Sequence, residues 1–144
     1  MLEISKEVLA QIYAHGEAAF PDEGAGFLLG IDGADGQPRR ITAILGLPNA
    51  REDEARHNRF LIEPKDYLNG ELEADRLGLS VVGIFHSHPD SPNNPSTYDR
   101  DWAQPFFSYI ITSVYSAKAT GSRSWLLSED RTHFDEEEIT ITGA

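Results

Sequence analysis

No cysteine occurs among the 144 residues, and that one absence removes disulfides, zinc–thiolate centres, thiol proteases and thioredoxin-like redox chemistry together. Any bound metal has to be held by His, Asp or Glu. Basic residues are scarce: 12 Lys plus Arg stand against 24 Asp plus Glu, for a formal net charge of −12. Such a surface repels a phosphate backbone, so no nucleic-acid partner is expected. Long apolar runs are missing too. Nowhere do about 18 apolar residues follow one another, and no membrane span is expected. Met1–Glu7 has neither the basic region nor the apolar stretch of a secretory leader, and the expectation is a cytoplasmic, soluble chain.

What the chain does contain suffices for one core. Hydrophobic residues make up 40%, with two Trp and seven Phe, and 144 residues suit a single domain over 1–144. Ser5 is placed to cap a helix running from about residue 5 to Phe20, with Val8, Leu9, Ile12 and Tyr13 at helical spacing. Pro21-Asp22 breaks it. The apolar run Gly26–Ile31 suits a buried strand, Asp32–Gly36 a hairpin turn, and Arg40–Leu47 a returning strand that ends at Pro48-Asn49. Residues 50–58 read as an exposed loop and Arg59–Ile62 as strand-like. Pro64 opens a helix to about Leu77 with Tyr67, Leu68 and Leu72 on one face, and Gly78 stops it. Ser80–Phe85 is nearly continuous apolar sequence, as in a central strand covered on both faces. Ser96 is placed to cap a short helix through Trp102, and further strands fall at 108–115, 122–127 and 139–142. With no internal repeat, this order predicts an α/β or α+β domain, a mixed β-sheet flanked by helices.

The residues that carry chemistry cluster after the apolar strand. His86 and His88 lie two apart at its end, so period-2 geometry points both imidazoles to one side, where they can share an ion. Alone, an H-x-H is a weak signal that more often marks exposed or hydrogen-bonded structural histidines. Asp99 supplies a third candidate ligand within Ser96-Thr97-Tyr98-Asp99, although Ser-x-x-Asp also reads as a capping box. The two roles are compatible, because a cap on Ser96 would orient the helix that carries the carboxylate. Two imidazoles and one carboxylate leave a fourth tetrahedral position for water, the pattern of a catalytic zinc site. Zinc lowers the pKa of such a water to about 7. A further carboxylate must accept the proton and pass it to the leaving amine. The residue between the histidines is Ser87, so the base has to come from elsewhere. Glu23, just before a buried strand, is the candidate; standing by itself it reads equally as an exposed acid after a helix.

These segments together resemble the JAMM/MPN+ metalloproteases (Mov34/MPN/PAD-1), whose signature is a distant Glu plus H-x-H-x7-S-x2-D. His86-Ser87-His88, seven residues from Pro89 to Pro95, Ser96 and Asp99 fit at every spacing, and Glu-x-x-Gly-x-Leu-x-Gly begins at Glu23. The resemblance spans Glu23 through the strands after Asp99 and is closest to the minimal prokaryotic form. It implies an MPN/JAB1-like, cytidine-deaminase-like fold, with Zn2+ bound by His86, His88 and Asp99. It also implies that Glu23 activates water and that Ser96 stabilises the oxyanion. The implied substrate is the C-terminal Gly-Gly tail of a ubiquitin-like or ThiS/MoaD-like sulfur-carrier protein, cut at a peptide or isopeptide bond. Ala25 stands where many relatives carry cysteine. The 45 residues after Asp99 (100–144) leave little room for the insertion that larger deubiquitinating relatives use.

Other readings are weaker. A metal-free MPN scaffold that mediates assembly is the main alternative, though such members usually lack the ligands. A nucleobase deaminase needs a P-C-x-x-C, which a chain without cysteine cannot supply, and no G-x-S-x-G elbow surrounds Ser87. His15, His57 and His133 have no partner at ligand spacing and are expected to pack or face solvent. Trp102, Phe106 and Phe107 are expected in the core, with a rim contacting substrate as the alternative, and Asp90 and Asp101 in solvated loops.

Overall fold

The computed structural model describes residues 1–48 and 62–143. The loop expected at 50–58, His57 and all of the strand-like run except Ile62 lie outside the described residues. In chain order the elements are β1 (Leu2–Ser5), α1 (Lys6–Ala19), β2 (Ala25–Ile31), β3 (Arg39–Leu47), α2 (Pro64–Leu77), β4 (Ser80–Pro89), α3 (Thr97–Trp102), β5 (Ser108–Tyr115), β6 (Lys118–Leu127), β7 (Phe134–Glu137) and β8 (Ile139–Thr142). All the strands join one mixed sheet in the order β7-β6-β5-β4-β2-β3-β1-β8. β4 lies inside it, antiparallel to β2 and parallel to β5. The expected mixed sheet with flanking helices is therefore present, and its centre is the apolar strand that leads into the two histidines.

Each face of the sheet has its own core. On one side α1 lays Val8, Leu9 and Ile12 over Leu28, Phe85 and Ile110, with the Ser5 hydroxyl accepting from Val8 N at 3.2 Å as its N-cap. On the other, Ala74 of α2 joins Phe27, Ile84, Ile111 and Trp125. Fully burying aliphatic or aromatic side chains of this size contributes about 1.5–3 kcal/mol each. The two cores hold β4 from both sides, which makes its C-terminal end a rigid platform.

Three expectations need correction. On α2, Tyr67 packs on Phe27 with ring centroids 5.1 Å apart, but Leu68 and Leu72 are each 57% exposed. The helix buries its small side instead: a Cβ on Gly70 would stand 2.7 Å from the Phe27 ring, so only glycine allows this approach. Trp102 and Phe106 are 59% and 64% exposed, because the inward positions of that segment are taken by Ala103 and Phe107. Finally, β1 and β7 went unforeseen. Each is four residues long, too short for a period-2 pattern to stand out, and the acidic sequence of β7 reads as a solvated stretch. Its Glu137 is nonetheless buried, accepting from the Ser108 and Ser124 hydroxyls at 2.8 Å each.

His15 packs as expected, edge-on to Phe85 at 5.4 Å. Burial pushes its pKa below the ordinary 6.5, against the opposing effect of its hydrogen bond to the Leu47 backbone. Among the described residues its buried Nδ1 meets no hydrogen-bond partner, so a second ring proton would find no acceptor. A histidine with a depressed folded pKa binds more protons unfolded, and its contribution to stability is present above about pH 6.5 and fades as pH falls below it. The Tm advantage of wild type over His15→Gln should accordingly be largest near pH 7.5 and shrink towards pH 5.5. An advantage that grows on acidification would show that the fold favours the charged ring.

Candidate metal centre

The β-strand continues through the histidines: β4 runs to Pro89, and His86 and His88 pair in register with Ile111 and Ser113 of β5. Alternation puts both imidazoles on the α2 side of the sheet, and both are buried. Their Nε2 atoms are 3.1 Å apart. The loop after Pro89 returns the chain to them, and Ser96 then starts α3 with a reciprocal cap. Asp99 N donates to Ser96 Oγ at 3.0 Å, and Ser96 N donates to Asp99 Oδ2 at 2.8 Å. The capping-box reading of Ser-x-x-Asp therefore holds, and the cap fixes the orientation of the Asp99 carboxylate. The capped carboxylate faces the histidines, with Oδ1 at 3.2 Å from His86 Nε2 and Oδ2 at 3.2 Å from His88 Nε2.

Glu23 enters from the turn between α1 and β2 and is buried. Glu23, His86 and His88 each offer a donor atom within 4.8 Å of the others. The two carboxylates act on His88 differently. Burial lowers the His88 pKa, but Asp99 overrides this by hydrogen bond and charge, helped by the Pro92 carbonyl and by the charge alone of Glu23, so the net shift is upward. Burial likewise opposes ionisation of Asp99, yet the charge and hydrogen bond of His86, with the His88 bond and the Ser96 amide, hold it well below the usual carboxylate range.

This donor set fits a divalent cation. Pro92 O lies 2.8 Å from His88 Nδ1, and a carbonyl can only accept, so Nδ1 carries the proton and the lone pair of Nε2 points into the cluster. There it meets a carboxylate oxygen, and two such acceptors in contact need a positive charge between them. Ligand atoms about 2.0–2.1 Å from zinc in a tetrahedron stand roughly 3.3–3.4 Å apart, close to the observed 3.1–3.2 Å.

The loop that orients His88 is itself pinned, by contacts that sequence patterns did not reveal. Trp125 Nε1 donates to Asn93 O at 3.0 Å, and Arg123, stacked 4.6 Å from the Trp125 ring, donates to Asn94 Oδ1 at 2.7 Å. Both come from β6, some 30 residues away in sequence, and no local spacing signals them. A cleft of about 280 Å³ opens over the cluster, lined by Glu23, His88, Pro89, Ser91, Pro92, Asn94 and Ser96. His133 is exposed and pairs with Asp135, Nε2 to Oδ1 at 3.4 Å. Asp90 and Asp101 are both exposed, but only Asp90 lies in a turn, where it accepts from Ser116 N at 2.9 Å; Asp101 belongs to helix α3 rather than a loop.

Comparison with known proteins places this geometry. Residues 5–128 match the family model described as prokaryotic homologs of the JAB domain. A Thermus thermophilus protein named "Probable TtuB-protein conjugate cleaving protease" is 29% identical over 129 residues, covering 90% of this chain and 78% of that one. The solution structure of a Desulfitobacterium hafniense protein matches with a TM-score of 0.84 at 30% identity, over 100% of this chain and 94% of the other. The crystal structure of a JAB1/MPN domain protein from Archaeoglobus fulgidus shares the fold, with a TM-score of 0.61 at 23% identity over 96% and 97% of the two chains.

Zinc titrated into chelator-stripped protein should raise Tm in proportion to its binding, by the equivalent of about 2.7 kcal/mol at a hundredfold excess over Kd. The rise should weaken below about pH 6 as protons compete for the imidazoles. His88→Ala or Asp99→Ala should abolish it. A metal-independent Tm in the wild-type chain would contradict the fit.

Proposed function

The chain belongs to the family of prokaryotic homologs of the JAB domain, and from that premise we propose that it is a zinc-dependent hydrolase of protein conjugates. The bond cut is a peptide or isopeptide bond at the C-terminal Gly-Gly tail of a ubiquitin-like or ThiS/MoaD-like sulfur-carrier protein. The observation that carries the reading is the convergence of His86, His88 and Asp99, with donor atoms 3.1–3.2 Å apart, beside a cleft that His88 lines together with Glu23 and Ser96. The relative named for cleaving TtuB–protein conjugates supports the substrate class.

In this reading His86, His88 and Asp99 hold the metal and Glu23 is the base. Zinc, when bound, supplies Lewis acidity that makes a water reactive near neutral pH. Glu23 takes one proton from the attacking water and returns it to the leaving nitrogen, so that amide plus water becomes carboxylic acid plus amine, which part at neutral pH as carboxylate and ammonium. Asp99 is assigned as the ligand in line with the family signature and with its oxygens 3.2 Å from the two imidazole nitrogens, and Glu23 as the base in line with its place beside His88 in the cleft. Ser96 Oγ accepts the Asp99 amide proton, which leaves its own O–H to donate to the carbonyl oxygen as negative charge develops there. One hydroxyl can therefore serve as helix cap and as oxyanion donor. Pro89 and Pro92 line the cleft, and an extended glycine tail is the substrate proposed to occupy it.

The test is cleavage of Gly-Gly-tailed carriers extended at their C-terminus, by zinc-loaded protein with and without chelator. Chelator should abolish the activity, and Glu23→Gln should lower kcat by about 10²–10⁴-fold while retaining zinc. Ser96→Ala should lower kcat by about 10²–10³-fold and destabilise the chain by about 1 kcal/mol through the lost cap. Carriers left intact by a fully zinc-loaded chain would overturn the proposed substrate, and a chain that takes up no zinc would favour the metal-free scaffold.

A further inference from the structure

We infer that Ser87, the residue between the two histidines, is the positioning residue for Glu23. The inference rests on Glu23 being the base. Alternation turns Ser87 to the face of β4 opposite His86 and His88, where it is buried against α1. It can therefore neither ligate the metal nor touch a substrate in the cleft.

What it does touch is the backbone beside Glu23. Gly24 N donates to Ser87 Oγ at 2.8 Å, in a buried bond between residues 63 apart in sequence, and Ser87 N donates to Gly24 O at 2.9 Å. The β2–β4 register ends at Ala25↔His86. Gly24 and Ser87 extend that ladder by one step, with a side-chain oxygen as the second acceptor. Glu23, one residue further, is thereby set on the face that carries His86 and His88.

Two glycines make the arrangement possible. A Cβ on Gly16 of α1 would stand 3.1 Å from Ser87 Cβ, and one on Gly24 would stand 2.8 Å from His15 Nδ1. Helix, turn and strand thus meet at a single hydroxyl. A base has to lie within hydrogen-bond reach of the proton it takes, and a misplacement of about 1 Å can cost roughly 10²-fold in rate. Removing the hydroxyl leaves the buried Gly24 N–H without its acceptor, and the turn that carries Glu23 must shift to find another.

The experiment compares Ser87→Ala and Ser87→Thr with wild type as zinc-loaded full chains, after Tm confirms that each is folded. It measures kcat and KM on a Gly-Gly-tailed carrier fusion, zinc per chain, and hydrogen exchange of the Gly24 amide. Ser87→Ala should lose about 10–10²-fold in kcat with little change in KM or zinc content, and its Gly24 amide should exchange faster. Ser87→Thr, which keeps the oxygen, should restore both. Unchanged kcat in Ser87→Ala, or loss of zinc in step with loss of rate, would overturn the inference. If the wild-type chain cuts no carrier, the hydrolase reading has failed on its own account and the Gly24 amide decides the clamp alone. Faster exchange rescued by threonine then supports it, and unchanged exchange overturns it.

Discussion

The site depends on one carboxylate held in two hands. Asp99 accepts the Ser96 amide at the start of α3 and presents its oxygens 3.2 Å from each of two imidazole nitrogens. Burial alone would neutralise such a group, since removing a charge from water costs several kcal/mol unless partners replace the lost hydration. Here the partners outweigh burial, and the carboxyl stays ionised. An ionised carboxylate beside the lone pair of His88 then makes the cluster a place where a cation, whether a proton or a metal, is stabilised.

Everything around the cluster restricts motion. β4 is sandwiched between two cores, so His86 and His88 stand on backbone that cannot drift. His88 is further tied by the Pro92 carbonyl, and the loop containing Pro92 is tied to β6 through Trp125 and Arg123. On the opposite face α1 meets β4 through Gly16 and Ser87, and the turn bearing Glu23 hangs from the same serine. A metal centre gains from such support because donors already in place lose little entropy on binding, and a base already aimed needs no reorganisation during reaction.

Much of the fold was legible because its signals are local. The helix after Ser5, the glycine-bounded strand at 25–31, the capped helix after Ser96 and the apolar strand before His86 each carry their own pattern, and each is present. The misreadings share one cause. The exposure of Leu68, Leu72 and Trp102 follows from which side of a short or glycine-bearing helix its neighbours can approach, and that of Phe106 from the turn before β5, where Phe107 takes the inward position; hydrophobicity encodes neither. β1 and β7 form because longer strands offer them an edge, not because four residues dictate extension by themselves.

The sequence by itself determined which donor types are available, their spacing along the strand and the helix start, and the exclusion of thiolate chemistry. Period-2 alternation and capping act over two or three residues, so these features survive without knowledge of the rest of the chain. Only the tertiary structure decided that Glu23 comes close to the histidines, that the Pro92 carbonyl sets the proton on His88 Nδ1, and that Ser87 turns away from the two imidazoles to hold Gly24. Those contacts join residues far apart in sequence or fixed by loop conformation, and they exist because sheet register and helix packing bring the backbones together.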